Sequence, residues 1–263
     1  MALKFFWTCD STTFDSDDYS AGDSTPSVLN TVSIDGSAAR VGSAGILLES
    51  GTSGTYGFAL GGLVTSALMD STGSTRCTDL VCSVGLSMYI NGSKTDTTGV
   101  IEGFVLQGND TSNQFGLFTN SSGAGSLGLT LRGTGTGLAT IVLTDSNVTV
   151  DAWHGIVARV DIPNDKMQLE LYNASGSLVE MVDQTQIGSP DLAEYAPYLD
   201  SYASNGLRWG KATQAHVTYI DNVFVGNAFD DPIQNYFTIS SYSQYGVSGI
   251  APKAGFYRML RNA

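Results

Sequence analysis

The feature that most constrains this chain is its punctuation. From residue 30 onward, short apolar runs alternate with clusters of Gly, Ser, Asn and Asp. The runs expected as strands are Thr31–Ile34, Gly45–Glu49, Tyr56–Leu60, Val84–Ile90, Val100–Gln107, Gln114–Thr119, Leu127–Leu131, Leu138–Leu143, Gly155–Val160, Met167–Tyr172, Leu178–Val182, Leu207–Trp209 and Ala215–Val225. Turn formers such as Asn91-Gly92, Gly108-Asn109-Asp110 and Gly133-Thr134-Gly135 bound many of them. No helical period of about 10–15 residues separates the runs, so βαβ units and a parallel sheet are excluded. The pattern fits an all-β sandwich or barrel.

One segment departs from this rhythm. Ser189–Leu199, SPDLAEYAPYL, is expected to be a short helix. Ser189 would cap it, Pro190 suits its first turn, Asp191 and Glu194 favour its positive end, and Pro197 limits its length. The longest run, AHVTYIDNVFV, reads as a central strand, apolar on both faces. In a regular strand Val217, Tyr219, Asp221, Val223 and Val225 would share one face, and Asp221-Asn222 would mark any bulge or bend.

Charge narrows the function classes. Charged residues make up 14% of the chain, against about 25% in an ordinary domain. There are 25 Asp and Glu against 12 Lys and Arg, a formal net charge of −13. A nucleic-acid binder needs clustered Lys and Arg, and docking on an anionic membrane needs the same; the basic residues here are scattered. Neither partner is expected. The opening MALKFFWTCD runs from a short apolar patch into acidic residues, so no secretory signal peptide is expected. The sequons at Asn91, Asn109, Asn120, Asn147 and Asn173 would then carry no meaning. The acidic run Asp10, Asp15, Asp17, Asp18 and Asp23 reads as a solvated surface segment and does not fit an EF-hand loop.

Signatures of catalysis and metal binding are weak. Cys9, Cys77 and Cys82 form no zinc pattern, and Cys77 and Cys82 are spaced to bridge a loop if they pair at all. Glu102, Glu170, Glu180 and Asp183 supply no same-face acid pair on one strand. The two histidines, His154 and His216, lack a nucleophile elbow nearby. The Gly-rich stretch Gly123–Gly137 lacks the Lys of a phosphate loop. No cofactor and no metal are expected. Trp153 stands at the start of a strand, where a large side chain closes the rim of a β core. Together with His154 and Tyr172 it could alternatively form a platform for a sugar ring.

The stretch WHGIVARVDIPNDKMQLELYNASGSLVE, Trp153–Glu180, resembles the concanavalin A-like, laminin-G-like jelly roll. Trp153-His154 leads the first strand, Leu171-Tyr172-Asn173 closes the second, and Tyr219–Gly226 is similar to a closing strand of such sandwiches. The resemblance implies a jelly-roll β-sandwich with one short helix and extended termini. It covers about 40 residues, and a fold of this kind hosts lectins, hydrolases, lyases and structural modules alike. The run Pro252–Arg258 is similar to part of an alginate-lyase strand, which would make Lys253 and Tyr257 the matching residues, with Tyr257 as acid/base. The lyase partners are absent, and Gln214-Ala215-His216 is a poor substitute for the expected Gln-Ile-His.

The chain is therefore divided into an N-terminal arm or edge segment (1–28), a sandwich (29–228) and a C-terminal extension packed on the sandwich or on a neighbour (229–263). The leading expectation is a non-enzymatic component of the virion surface, assembled in the host cytoplasm, most plainly a capsid decoration protein of a tailed phage. Phe5, Phe6, Trp7, Tyr236, Phe237, Tyr242, Tyr245, Phe256 and Tyr257 would be assembly contacts, to like copies or other virion proteins. The alternatives are a lectin-like module that binds a surface glycan for host attachment and a polysaccharide lyase.

Overall fold

The structure, a computed structural model, describes residues 3–10, 19–20, 27–29, 33–48, 57–60, 78–90, 100–107, 114–121, 127–134, 141–185, 191–196, 206–212 and 218–230. Among these, two antiparallel sheets face each other as a jelly-roll β-sandwich. The strands are β1 (Leu3–Trp7), β2 (Tyr19–Ser20), β3 (Ser27–Leu29), β4 (Ser33–Asp35), β5 (Gly45–Leu48), β6 (Gly57–Leu60), β7 (Val81–Ile90) and β8 (Val100–Gln107). They continue as β9 (Gln114–Ser121), β10 (Leu127–Thr134), β11 (Ile141–Val148), β12 (Trp153–Asp161), β13 (Lys166–Tyr172), β14 (Leu178–Thr185), β15 (Gly206–Ala212) and β16 (Thr218–Gly226). One sheet runs β14-β13-β12-β7-β16-β1-β2, with β5 also on β16 and β4 on β5; the other runs β11-β10-β9-β8-β15-β6-β3. Each expected run has its strand, and all the pairings are antiparallel.

Alternation decides which side chains form the core. Cys82, Val84, Leu86 and Met88 of β7, Ile156, Ala158 and Val160 of β12, and Met167, Leu169 and Leu171 of β13 point inward and are buried. They meet Phe115 of β9 and Val148 of β11 from the facing sheet. Each buried aliphatic of this size contributes about 1.5–3 kcal/mol. Cys82 sits in this layer as a buried thiol outside any disulfide, and burial pushes it up to about 12. It behaves there as a small hydrophobe. Cys77 lies outside the described residues.

Two expectations change. The Ser189–Leu199 segment contains a single 3₁₀ turn, Leu192–Tyr195, whose flanking Asp191 makes no side-chain cap. Leu192 and Tyr195 plug into the core, and Leu192 N–H is held instead by Asp165 Oδ1 at 2.8 Å. Ser189, Pro190 and Pro197 lie outside the described residues. The second change is in β16. Its pairing with β7 shifts between Asp221 and Phe224, and Asn222 takes φ 52. This bulge reverses the alternation. Ile220, Val223 and Val225 face the core, whereas Tyr219 and Phe224 stand on the outer face, where Phe224 stacks on Phe6 at 4.8 Å.

The bulge also divides the partners of β16. Thr218–Ile220 pair with β5, and Val223–Gly226 pair with β1. Between the two neighbours, Asp221 takes N–H groups of Arg40 (2.7 Å), Val41 (2.9 Å) and Asn222 (2.8 Å). Asp10, just past β1, takes the N–H groups of Ser43 and Ala44, both at 2.7 Å. Burial pushes Asp221 up to about 8 against those three N–H donors, and the nearby Asp10 carboxylate adds to the rise.

Gly45, at the head of β5, is fixed by close approach: a Cβ there would lie 2.2 Å from the Ala38 carbonyl oxygen and 3.2 Å from that of Ile220. Gly45→Ala is therefore expected to cost about 1–3 kcal/mol in urea unfolding, and an unchanged midpoint would contradict the close approach. For Asp221 the sign is set by a folded pKa raised from 3.8 to about 8. Its contribution is complete below the unfolded value, is lost as pH rises through the folded one, and is constant above. Urea titrations between about pH 4 and 9 should show the wild type losing stability relative to Asp221→Asn across this window. A parallel pair of curves would refute it.

Candidate functional site

The outer face of the β1–β16–β7–β12–β13 sheet is laid out in rows across the strands. At one end the row is Arg159 of β12 with Ser83 of β7, and next to it stands Glu170 of β13. Arg159 and Glu170 are both buried and share an ion pair, Nε to Oε1 at 2.9 Å. Arg159 Nη1 also donates to Ser83 Oγ (3.1 Å) and to the Phe229 carbonyl (2.7 Å), while Ser83 Oγ donates to the Ala228 carbonyl at 2.6 Å. Lys166 Nζ lies 5.7 Å over the Phe229 ring. This end of the face is thus closed by the chain leaving β16.

Beyond the row of Glu170 (β13), Val157 (β12), Gly85 (β7) and Phe224 (β16), the following one joins Tyr172 (β13), Gly155 (β12), Ser87 (β7) and Asp221 (β16). Tyr172 is 7% exposed and its hydroxyl donates to Glu170 Oε2 at 2.5 Å. Burial first, then that bond, push the phenol well above its ordinary range. Its ring is consumed by the polar network. Arg40 reaches across this part of the face, its backbone on Asp221 and its Nη2 on the Ala174 carbonyl at 3.3 Å.

The far end is aromatic. Trp153, Tyr89 and Tyr219 sit opposite one another on β12, β7 and β16. Tyr89 and Tyr219 stack at 5.2 Å, and Trp153 lies 5.7 Å from Tyr89 and 6.4 Å from Tyr219. Strands two apart are separated by about 9.6 Å, so the indole leans across β7 toward Tyr219. All three rings are half-buried, leaving part of each open to solvent. Asp151, in the turn entering β12, accepts from Tyr89 hydroxyl at 3.4 Å. Partial burial, then the Asp151 carboxylate, raise the Tyr89 phenol.

The sequence trio Trp153, His154 and Tyr172 does not make one surface. Trp153 joins the aromatic row. His154 points the other way into the sandwich, 5% exposed, with Nε2 3.0 Å from the Thr149 carbonyl and 3.1 Å from its hydroxyl. Nδ1 has no partner among the described residues. Tyr89 and Tyr219 are the members sequence reasoning missed. The usable signal was an aromatic near the end of each of two long runs, but only strand pairing brings them to Trp153.

Of the residues expected as assembly contacts, Phe6 and Trp7 are buried in their own chain, at 3% and 0% exposure. Phe5 is described through its backbone pairing with Val225 and Ser20. Tyr236, Phe237, Tyr242, Tyr245, Phe256 and Tyr257 lie outside the described residues, as do Lys253 and the Gln214–His216 run. Among the described residues, no three His, Cys, Asp or Glu side chains gather as a metal ion would require, and no helix is long and apolar enough to cross a membrane.

No family model matches the chain, and no curated protein matches it in sequence. In fold it is similar to the botulinum neurotoxin serotype D binding domain, with TM-score 0.57 and 11% identity over 90% of this chain and 51% of that one. It is similarly related to the receptor binding domain of botulinum neurotoxin mosaic serotype C/D, with TM-score 0.57 and 10% identity over 90% and 50%. The chain spans about half the length of these two. The enzymatically active domain of tailspike protein 2 from bacteriophage CBA120 aligns with TM-score 0.50 and 13% identity, over 83% of this chain and 31% of that one. At these identities the likeness is one of fold, a jelly-roll sandwich shared with toxin and tailspike domains.

Proposed function

We propose that this chain is a non-catalytic, lectin-like module that holds a surface glycan on the Trp153–Tyr89–Tyr219 row for attachment to a host. The observation that carries the reading is the row itself: three partly exposed rings on adjacent strands, with the Asp151 carboxylate within reach of the Tyr89 hydroxyl. Aromatic faces cover the apolar C–H face of a pyranose, and a carboxylate accepts its hydroxyls. The elements beneath are the central strands of the sheet, so the platform is rigid before ligand arrives. The fold likeness to receptor-binding domains supports an attachment role. The polar network of Arg159, Glu170 and Tyr172 is buried and internally satisfied, which supports a structural part for it over a catalytic one.

A second reading places the same module on the surface of a virion. The fold likeness to a tailspike domain and the Gly/Ser/Thr-rich, acidic composition support it. It keeps the expected partners, like copies or other virion proteins, and adds a glycan to them. Capsid decoration without ligand binding is the weaker form, because burial of Phe6 and Trp7 removes two of its proposed contacts.

Trp153→Ala should lower affinity for whichever glycan the chain selects on an oligosaccharide array by about tenfold or more. Its unfolding midpoint should fall, since the indole is more buried than exposed and packs on Tyr89 and Tyr219, and binding is compared where the variant is folded. Calorimetric titration with the selected glycan measures the first and urea unfolding the second. Undiminished binding by a folded variant would remove the platform from the site.

A further inference from the structure

Among the described residues, the exposed large hydrophobic side chains all lie on one strand: Leu178, Val179 and Met181 of β14, at 52%, 47% and 51% exposure. β14 is also the last strand of its sheet, with β13 as its described strand neighbour. An edge of this kind offers a row of backbone donors and acceptors to another chain, and folds commonly blunt it with Lys or Pro. β14 has neither. Its one irregularity against β13 is the extra residue Val179, next to the turn, so Glu180–Thr185 pairs regularly. Met181 stands opposite Glu170 and Leu178 opposite Tyr172, which places both on the outer face. Val182, opposite Leu169, packs against the core.

We propose that a second copy of this chain seats on this edge, β14 against β14, antiparallel about a two-fold axis through Met181. Occupant and register both follow from the strand, which is its own complement. In a continuous sheet, residues opposite one another face the same side, so the axis of a symmetric antiparallel pair passes through a residue and not between two. An axis at Glu180 or Asp183 sets a carboxylate directly opposite its own copy, which is unfavourable. An axis at Val182 sets the exposed Met181 opposite Asp183. An axis at Met181 sets Met181 on Met181, Glu180 opposite Val182 and Asp183 beside Val179, so no acid faces an acid and the exposed apolar residues are covered. β11, the last strand of the facing sheet, lies across from β14, so the copy also covers that end of the sandwich. An end about 27 Å long and about 20 Å deep buries roughly 1,100 Å² over two copies, just above the ~1,000 Å² that a specific contact needs. The dimer is therefore reversible. Because its axis is perpendicular to the sheet, both outer faces, with their Trp153–Tyr89–Tyr219 rows, look the same way.

Sedimentation velocity of the full chain over a concentration series should show a monomer–dimer equilibrium with a Kd of roughly 10–100 µM. Met181→Lys, which puts like charges on the axis, should weaken it about tenfold or more. The register is read by oxidation of two single variants. Met181→Cys should form a disulfide-linked dimer beyond the wild-type background, because side chains paired across the axis have Cβ atoms about 4.5–5.5 Å apart. Asp183→Cys, about 14 Å from its mate, should not. A wild type that stays monomeric throughout overturns the proposal and leaves this edge to a partner of another sequence. A dimer undiminished in Met181→Lys overturns it too. Should Met181→Lys fail to fold, the cysteine variants decide: equal cross-linking of the two, or none in Met181→Cys, overturns the pairing. No glycan enters the test, so its failure leaves the glycan-binding reading untouched.

Discussion

The rest of the structure depends on a single irregularity, the bulge at Asp221-Asn222. A central strand must satisfy neighbours on both edges, and β16 has two different neighbours on one of them. Where β5 ends and β1 begins, the ladder is interrupted, and the N–H groups of Asn222 and of the 40–44 loop meet this gap, those of Val41 and Asn222 buried. A buried N–H without an acceptor costs about 1–3 kcal/mol. Asp221 supplies acceptors to three of them, and Asp10 supplies acceptors to the next two. The extra residue turns the Asp221 carboxylate toward the 40–44 loop and returns Val223 and Val225 to the core. Without the shift, the aliphatics of the second half of β16 would face outward and Phe224 would face the core.

The same logic explains why the outer face is polar yet closed at one end. Taking Arg159 and Glu170 out of water costs several kcal/mol per ion, so the pair is poor evidence of stabilisation by itself. What it does is specify position. The guanidinium meets Glu170, Ser83 and the Phe229 carbonyl, and Glu170 in turn receives Tyr172. Glu170, Ser83 and the Phe229 carbonyl come from three different stretches of chain, and losing Glu170 removes the carboxylate paired with the buried guanidinium. The network therefore fixes where the chain emerges from β16 and commits Tyr172 to a structural task.

Most of the strand content was legible in the sequence, because turn formers and apolar runs are local signals that tertiary context seldom overrides in a β fold. The bulge was legible as a place, since Asp-Asn inside VTYIDNVFV is poor company for a central strand. Its consequence was not: which face Val223 takes depends on pairing with β7, a long-range fact. The β1 strand, LKFFW, lacks alternation and flanking turn residues, so it reads as a patch although β16 recruits it. The expected short helix is present as the 3₁₀ turn Leu192–Tyr195, and its lack of a side-chain cap has a different reason. The caps around Asp191 were sound locally, but Leu192 and Tyr195 are drawn into the core, and Asp165 holds the N–H a cap would have served. Of the platform, Trp153 alone was legible. His154 looked equivalent beside it, and only the two-residue period of β12, once its register against β7 is known, sends the two to opposite faces.

That period also accounts for where the open rings are. On the outer face, β7 carries Ser83, Gly85 and Ser87, and Gly155 of β12 lies beside Ser87, small residues over which other segments can lie, while β12 also carries Val157 and Arg159. Covering segments need such space: the 228–229 stretch uses the Ser83 end, and Arg40 crosses near Ser87. Tyr89 and Trp153 end this small-residue track. Large rings there cannot be overlain in the same way, so they lean on one another and on Tyr219 and keep part of their surface in water. The face is thus sealed at one end by an ion pair and left aromatic at the other.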